Sequence, residues 1–209
     1  MIERQVEGAL WHLVLNRPDK ANSLTRAMLE ALLEHLQAAE GRAEALILTG
    51  RGKVFSAGAD LDEARAGLAT DPLWEAVSAR LAALPCLTIA ALNGTLAGGA
   101  FGMALACDLR LAVPGARFFY PVMKLGFMPQ PSDPARLAAL IGPARARMIL
   151  MAGQRIGTDE ALAWGLVDRL VPPAELDDAA RELAADVLAA PRGHAGRIKA
   201  MVPRVWSQG

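Results

Sequence analysis

The sequence predicts an α/β fold with a largely parallel sheet. Short runs rich in Val, Ile and Leu alternate along the chain with longer segments whose apolar residues recur at helical spacing. The run at 88–92 is apolar almost throughout, which is typical of a strand buried on both faces of a parallel sheet. Strands that alternate with helices in this way favour a parallel sheet covered by helices.

The predicted elements follow one another with little connecting chain. Strands are expected at 10–15, 45–49, 88–92, 109–113, 117–120 and 167–171. Helices are expected at about 25–39, from 61, and at 72–84, 97–106, 134–140, 144–151, 158–164, 174–189 and 193–205. The Pro- and Met-rich segment 115–134 has no clear period. We expect a core domain over 1–190 and a short C-terminal helical segment over 191–209.

Composition narrows the classes of partner. The 209 residues are 53% hydrophobic and 21% charged with zero net charge, as in a soluble globular domain with no overall attraction to nucleic acid or membrane. The N-terminus lacks a signal-peptide core and no apolar run reaches membrane-spanning length, which predicts a cytoplasmic protein. Cys86 and Cys107 show no metal-ligand spacing, so we expect no metal site.

Two segments share one design: a buried strand, a turn of small residues and the start of a helix. Their turns read FSAGADL at 55–61 and GGAFG at 98–102. The first N–H groups of a helix lack partners and carry positive potential, and glycine lets a ligand approach them. Two such N–H groups aimed at one point would form an oxyanion hole. The alternative is a pair of ordinary tight turns.

Other glycine-rich sites are not supported. The sequence contains no GxxxxGK[ST], which argues against a P-loop, and no GxGxxG after the first strand, which argues against a dinucleotide site. It contains no GxSxG either, so a serine nucleophile on a sharp turn is not expected.

Three ordered motifs resemble those of the crotonase (enoyl-CoA hydratase/isomerase) superfamily. They read LNRPDKANSL at 15–24, FSAGADL at 55–61 and NGTLAGGA at 93–100, and the resemblance extends over about 2–205. It implies a crotonase-like (ClpP/crotonase) spiral of ββα units with mostly parallel sheets. It also implies an acyl-CoA substrate without a separate cofactor, a homotrimer or dimer of trimers, and neither nucleic-acid nor membrane partners.

The resemblance assigns the site residue by residue. The oxyanion-hole donors would be the N–H groups of Ala59 and Gly99. The CoA moiety would lie along Arg17, Lys20, Ala21, Ala57, Gly58, Asp60 and Leu61. Arg17 and Lys20 would meet the phosphates, and the alternative is that both are solvated loop charges. The alternative for Asp60 is a cap on the following helix.

The chain departs from the family where hydratases place two catalytic glutamates. Those positions hold Gly102 and Val122, which cannot transfer protons and are expected to line the acyl pocket with Gln130. Asp133 is the candidate base, and its alternative is a cap for the helix beginning near 134. Tyr120 is interpreted as a buried strand residue with a satisfied hydroxyl.

The function predicted is therefore an acyl-CoA enzyme that stabilises an enolate or a tetrahedral oxyanion. Isomerisation, thioester hydrolysis, decarboxylation or C–C cleavage would use such a hole, whereas ordinary hydration is not expected. The alternative is a non-catalytic acyl-CoA-binding or assembly subunit of the same fold.

Overall fold

The computed structural model describes residues 1–202. The strands are β1 (Ile2–Glu7), β2 (Leu10–Leu15), β3 (Ala45–Gly50), β4 (Val54–Ser56), β5 (Leu87–Leu92), β6 (Thr95–Ala97), β7 (Leu109–Ala112), β8 (Phe118–Phe119) and β9 (Arg169–Leu170). The helices are α1 (Arg26–Ala39), α2 (Leu61–Arg65), α3 (Leu73–Ala83), α4 (Phe101–Ala106), α5 (Val122–Leu125), α6 (Asp133–Ile141), α7 (Pro143–Leu150), α8 (Thr158–Trp164), α9 (Leu176–Ala189) and α10 (His194–Met201).

The strands form two sheets that the chain visits alternately. The larger has the order β1-β2-β3-β5-β7-β9 and is parallel except for β1, which pairs antiparallel with β2. The smaller has the order β4-β6-β8 and is parallel throughout. Three times the chain passes from a strand of the large sheet to one of the small sheet and then into a helix. This confirms the predicted α/β class and the crotonase-like spiral of ββα units.

Some elements were not predicted. The sequence of β1 is mostly polar and the strand is largely exposed at the sheet edge, so it carries no apolar pattern. Strands β4 and β6 have three residues each, too few for a period to be visible. In segment 115–134, β8 lies within the predicted strand 117–120, whereas α5 was not predicted. The predicted end of the last helix, and residues 203–209 of the predicted C-terminal segment, lie outside the described residues.

The small sheet and two helices position the site. Because β4, β6 and β8 are parallel, their carboxyl ends meet at one edge, where α/β folds commonly bind ligands. Helix α3 packs against α1 and α4, and Trp74 and Val77 on α3 are buried in the core. No helix in the described part of the chain is long and apolar enough to cross a membrane.

Candidate active site

A cavity of about 100 Å³ lies at the carboxyl ends of the three small-sheet strands. Its lining comprises Ala57, Ala59, Ala64, Ala69, Trp74, Gly98, Gly99, Tyr120, Pro121, Val122, Leu125, Phe127, Met128 and Gln130. None of these described residues carries a charged side chain. The polar side-chain groups among them are the Tyr120 hydroxyl, the Gln130 amide and the Trp74 indole N–H, which donates to the Leu68 carbonyl, so the cavity suits an uncharged group with a small number of polar contacts.

Two backbone N–H groups in this lining lack an intramolecular partner. The Leu24 N–H donates to the Gly58 carbonyl at 2.8 Å and the Asp60 N–H donates to the Leu24 carbonyl at 2.9 Å, and the Ala59 N–H lies between these bonds. Gly99 lies in a 3₁₀ turn, Gly98–Ala100, at the start of α4. Within residues 1–202 neither the Ala59 nor the Gly99 N–H makes a hydrogen bond. The lining therefore includes two residues whose backbone N–H groups are free.

The close approach of the two turns depends on glycine. Gly58 has a φ of 91°, and a Cβ there would lie 3.0 Å from the Ala97 carbonyl oxygen. A Cβ at Gly99 would lie 3.1 Å from the Trp74 ring, which is fixed by a 2.8 Å hydrogen bond from Nε1 to the Leu68 carbonyl. Side chains at these positions would push the two donors apart.

Asp60 and Arg17 form an ion pair beside the first turn. The Asp60 carboxylate accepts hydrogen bonds from the N–H groups of Asp62 and Glu63 and so caps α2, the alternative given for it above. Arg17 Nη1 donates to Asp60 Oδ2 at 2.7 Å, which, with the helix N–H groups, holds the pKa of Asp60 below its usual range. Arg17 Nη1 is therefore already engaged, and neither residue lines the cavity.

The remaining predicted CoA contacts lie along the same two loops. The Lys20 side chain is exposed and has no ion pair with any described residue. The Ala57 N–H donates to the Ala21 carbonyl at 3.0 Å, which joins the loops. Leu61 is 69% exposed and does not line the cavity. The two loops predicted to bind CoA are thus joined, and among the residues predicted for that contact Ala57 alone lines the cavity.

Asn22, which the sequence analysis did not single out, holds the first loop. It is fully buried, and both it and Ala21 have positive φ. Its Nδ2 donates to the carbonyls of Arg51 and Val54 and its Oδ1 accepts from the Arg17 N–H at 2.8 Å. These bonds offset the cost of the left-handed backbone.

The Tyr120 phenol forms the other wall of the cavity, and a buried carboxylate lies behind it. Asp133 is fully buried, and its Oδ2 accepts a 2.9 Å hydrogen bond from the Tyr120 hydroxyl. Its Oδ1 has no hydrogen-bond partner among the described residues. Asp133 is the first residue of α6 and makes no side-chain cap, so the helix-cap alternative is wrong. Asp133 lies behind Tyr120, which itself lines the cavity.

Gly102 contacts this carboxylate. A Cβ at Gly102 would lie 2.9 Å from Asp133 Oδ1, so the aspartate fills the space that a side chain at position 102 would need. Gly102 does not line the cavity, which corrects its predicted place in the acyl pocket. Val122 and Gln130 do line it, and Gln130 Nε2 donates to the Ala69 carbonyl at 3.5 Å.

Burial dominates the electrostatics of this wall. Desolvation raises the pKa of Asp133 to about 7, opposed by the Tyr120 hydrogen bond and the Arg136 charge and assisted by the Glu75 charge. Desolvation also raises the pKa of Tyr120 above its usual range, so this hydroxyl keeps its proton. At neutral pH both protonation states of Asp133 are accessible while Tyr120 donates to it.

The interpretation of Tyr120 as an ordinary buried strand residue was incomplete. It is buried, stacks on Phe101 with ring centroids 5.5 Å apart, and follows β8 rather than lying in it. It therefore occupies the place at the end of β8 that the turns holding Ala59 and Gly99 occupy after β4 and β6. The signal in the sequence is that the chain's single tyrosine ends the third short strand.

Among residues 1–202, no group of three or more His, Cys, Asp and Glu side chains is placed to hold a metal ion.

Comparisons with known proteins identify the family. The family model for enoyl-CoA hydratase/isomerase matches residues 5–208. YngF of Bacillus subtilis, named for enoyl-CoA hydratase/isomerase activity, is 41% identical over 85% of this chain and 71% of its own length. Carnitinyl-CoA dehydratase of Salmonella paratyphi A is 40% identical over 85% of this chain and 70% of its own length. 4-Chlorobenzoyl coenzyme A dehalogenase-2 of Arthrobacter is 35% identical over 88% of this chain and 70% of its own length.

Solved structures give the same result. The crystal structure of enoyl-CoA hydratase from Bacillus anthracis has a TM-score of 0.87 and 33% identity, covering 95% of this chain and 81% of its own. A Thermobifida fusca structure in complex with CoA has a TM-score of 0.87 and 28% identity, and the match covers 96% of this chain and 83% of that structure's chain. With the family match over nearly the whole sequence, the chain belongs to the enoyl-CoA hydratase/isomerase family.

Proposed function

We propose that this chain is an acyl-CoA enzyme that moves a proton along the acyl chain through an enolate, as in the positional isomerisation of an enoyl-CoA. The observation that carries the proposal is the Tyr120–Asp133 hydrogen bond, whose tyrosine lines the same cavity as Ala59 and Gly99, the two residues with unpaired backbone N–H groups. One wall would stabilise negative charge on the thioester oxygen, and the other would take up and return a proton.

The N–H groups of Ala59 and Gly99 are the proposed oxyanion-hole donors. They would strengthen their hydrogen bonds as the thioester oxygen becomes an enolate oxygen, and loss of one such donor typically costs about 2.7–4 kcal/mol of transition-state stabilisation. Both belong to the backbone, in turns held close by Gly58 and Gly99. No side-chain movement is needed to bring them to the substrate.

Tyr120 and Asp133 are the proposed proton-transfer unit. As the C–H bond next to the enoyl system breaks, its proton would pass to Tyr120 Oη while the tyrosine proton passes to Asp133 Oδ2. Return along the same path to a second carbon would complete a 1,3-shift with no net change in the enzyme. A pKa of about 7 places Asp133 where acid–base catalysis at neutral pH is most effective.

Ordinary hydration fits this site poorly. The usual two-glutamate device needs a carboxylate at each of the positions held by Gly102 and Val122. Neither residue can transfer a proton, and the space beside Gly102 is filled by Asp133. A single acid–base unit supports isomerisation, whereas hydration also requires a group to hold and activate water.

A CoA thioester is the substrate class that the similar proteins support. The relatives compared above carry names of CoA thioester reactions, and a similar structure was solved in complex with CoA. We propose that the CoA lies along the loops at 17–21 and 57–61, with Lys20 as the available cation. We further propose a cytoplasmic trimer or dimer of trimers, in which the exposed Leu125 and Met128 beside the cavity would be covered.

The test is to incubate the protein with 3-enoyl-CoA and 2-enoyl-CoA thioesters and to follow products by chromatography, ultraviolet absorbance and mass spectrometry. We expect a conjugated 2-enoyl product of unchanged mass from the 3-enoyl substrate. A 3-hydroxyacyl product, heavier by one water and formed at ordinary hydratase rates, would refute the proposal. Thioesters that raise the melting temperature without being converted would support the binding-subunit alternative.

A further inference from the structure

Helix α3 contacts both walls of the cavity through two consecutive residues. The Trp74 ring packs against Gly99 on the wall with the free N–H groups. The Glu75 carboxylate accepts a hydrogen bond from the Ser132 N–H at 3.1 Å and a second, short one from the Ser132 hydroxyl. Ser132 directly precedes Asp133, so one turn of α3 connects the two walls.

The contact to Ser132 fixes the start of α6. Ser132 makes no side-chain cap of its own. The Glu75 carboxylate supplies the negative charge and the acceptor that the first turn of a helix lacks. Asp133 is the next residue, and its carboxylate is buried between Tyr120 and Gly102. Among the described residues, Asp133 Oδ2 accepts a hydrogen bond from Tyr120, whereas Oδ1 has no hydrogen-bond partner that would hold the carboxylate in place. A shift at Ser132 would therefore move this carboxylate away from Tyr120.

We propose that Glu75 is a positioning residue that holds Asp133 against Tyr120 from α3, while its neighbour Trp74 holds Gly99 in the opposite wall. This proposal rests on the proposed function for its effect on turnover, but the contact itself can be tested without substrate. Glu75 does not line the cavity, so it acts through Ser132 and Asp133 rather than on the substrate.

The charge of Glu75 gives this role a signature that simple helix capping lacks. The groups that act on the ionisation of Asp133 are Tyr120 after β8, Arg136 on α6 and Glu75 on α3, whereas α4 faces it with Gly102. Glu75 raises the pKa of Asp133 by repulsion. Removing that charge while keeping the hydrogen bonds should therefore lower the pKa of Asp133.

The single tyrosine of the chain allows a direct measurement. Protein labelled with ¹³C at the ζ carbon of tyrosine gives one resonance, that of Tyr120, whose shift follows the ionisation of Asp133. We would titrate wild type, Glu75→Gln and Glu75→Ala between pH 4 and 9. Glu34→Gln, an exposed carboxylate on α1, is the matched control.

We expect Glu75→Gln to keep the wild-type shift at its acidic limit but to titrate at lower pH. Glu75→Ala should also move the resonance toward that of a solvated tyrosine and lower kcat about tenfold to a hundredfold, with KM within about twofold, because misplacing a proton-transfer group costs rate rather than affinity. Glu34→Gln should match wild type throughout.

Glu75→Gln with a wild-type titration midpoint would overturn the proposal, as would Glu75→Ala that lowers only the melting temperature. If Glu75→Ala does not fold, the titration midpoint of Glu75→Gln still tests whether Glu75 acts on Asp133. A wild type that titrates as expected but converts no thioester would contradict the proposed function and leave the positioning role supported.

Discussion

One wall of the cavity is built from backbone groups and the other from side chains. One wall presents backbone N–H groups of Ala59 and Gly99, held by turns that depend on glycine. The other presents the side chain of Tyr120, and the buried Asp133 behind it accepts a 2.9 Å hydrogen bond from the Tyr120 hydroxyl. The difference teaches where each wall is vulnerable. The backbone wall tolerates side-chain truncation but not added bulk, whereas the side-chain wall can be disabled by a single isosteric change.

The largest expected effect is on the side-chain wall. Asp133→Asn keeps an oxygen that can accept from Tyr120 but cannot take up a proton at neutral pH. Turnover of a 3-enoyl-CoA should fall about 10²–10⁴-fold, the usual contribution of a positioned acid–base group. Thioester affinity, measured by titration calorimetry, should change little. A variant that keeps more than about half of the wild-type kcat would contradict the assignment of Asp133.

Added bulk tests the backbone wall. Gly58→Ala and Gly115→Ala introduce a methyl group at similar left-handed φ values of 91° and 84°, so both carry similar backbone strain. At Gly115 the Cβ meets nothing within 4 Å, whereas at Gly58 it meets the Ala97 carbonyl at 3.0 Å. Gly58→Ala should therefore lose about 1–3 kcal/mol more stability in urea unfolding. It should also weaken thioester binding, because it separates the turns.

Equal losses in the two glycine variants, with thioester affinity unchanged in both, would show that the contact between the turns does not hold the donors together.

The pH dependence of stability tests the burial of Asp133. The folded protein keeps this proton up to about pH 7, whereas the unfolded chain releases it near 3.8. Between these values the folded state binds more protons, so the free energy of unfolding should fall as pH rises from about 4 to 7. Asp133→Asn removes the titrating group. Urea unfolding of both proteins should give curves that diverge over this window, and parallel curves would contradict a buried, protonated Asp133.

The smallest effect is expected at the outer edge of the CoA surface. Lys20 is exposed, so losing its contact to a phosphate should cost about 0.2–1 kcal/mol, or fivefold in affinity at most. CoA binding by Lys20→Ala should also depend less on salt than in wild type. Arg42→Ala, which removes an exposed cation elsewhere, is the control. Identical CoA affinities for wild type and Lys20→Ala would remove Lys20 from the proposed phosphate contacts.

The two walls also differ in how well the sequence predicted them. The turns of Ala59 and Gly99 are local, because a strand, small residues and a helix start follow one another in the sequence. The fold class was predictable for the same reason, since alternating strands and helices favour a parallel sheet. The strands β4 and β6 were not predicted, because three residues carry no visible period.

The side-chain wall needed the structure because its contacts are not local. Tyr120 and Asp133 lie 13 residues apart, in the segment without a clear period, and their hydrogen bond depends on how that segment folds back. Asp133 was identified as a candidate, but its contact with Gly102 could not be read from the sequence. Nor could the link from Glu75 through Ser132, which joins residues 57 positions apart.

The most direct test of the central claim is deuterium wash-in at the acyl chain. Wild type, Asp133→Asn and Tyr120→Phe would be incubated with an enoyl-CoA in D₂O, and label in the recovered thioester would be located by NMR across pH 5 to 9. Our account predicts wash-in by wild type that rises with pH to a plateau above about 7, where Asp133 is ionised, and falls at least a hundredfold in both variants. Wash-in that is equal in wild type and Asp133→Asn, or absent from wild type with a bound thioester, would contradict it.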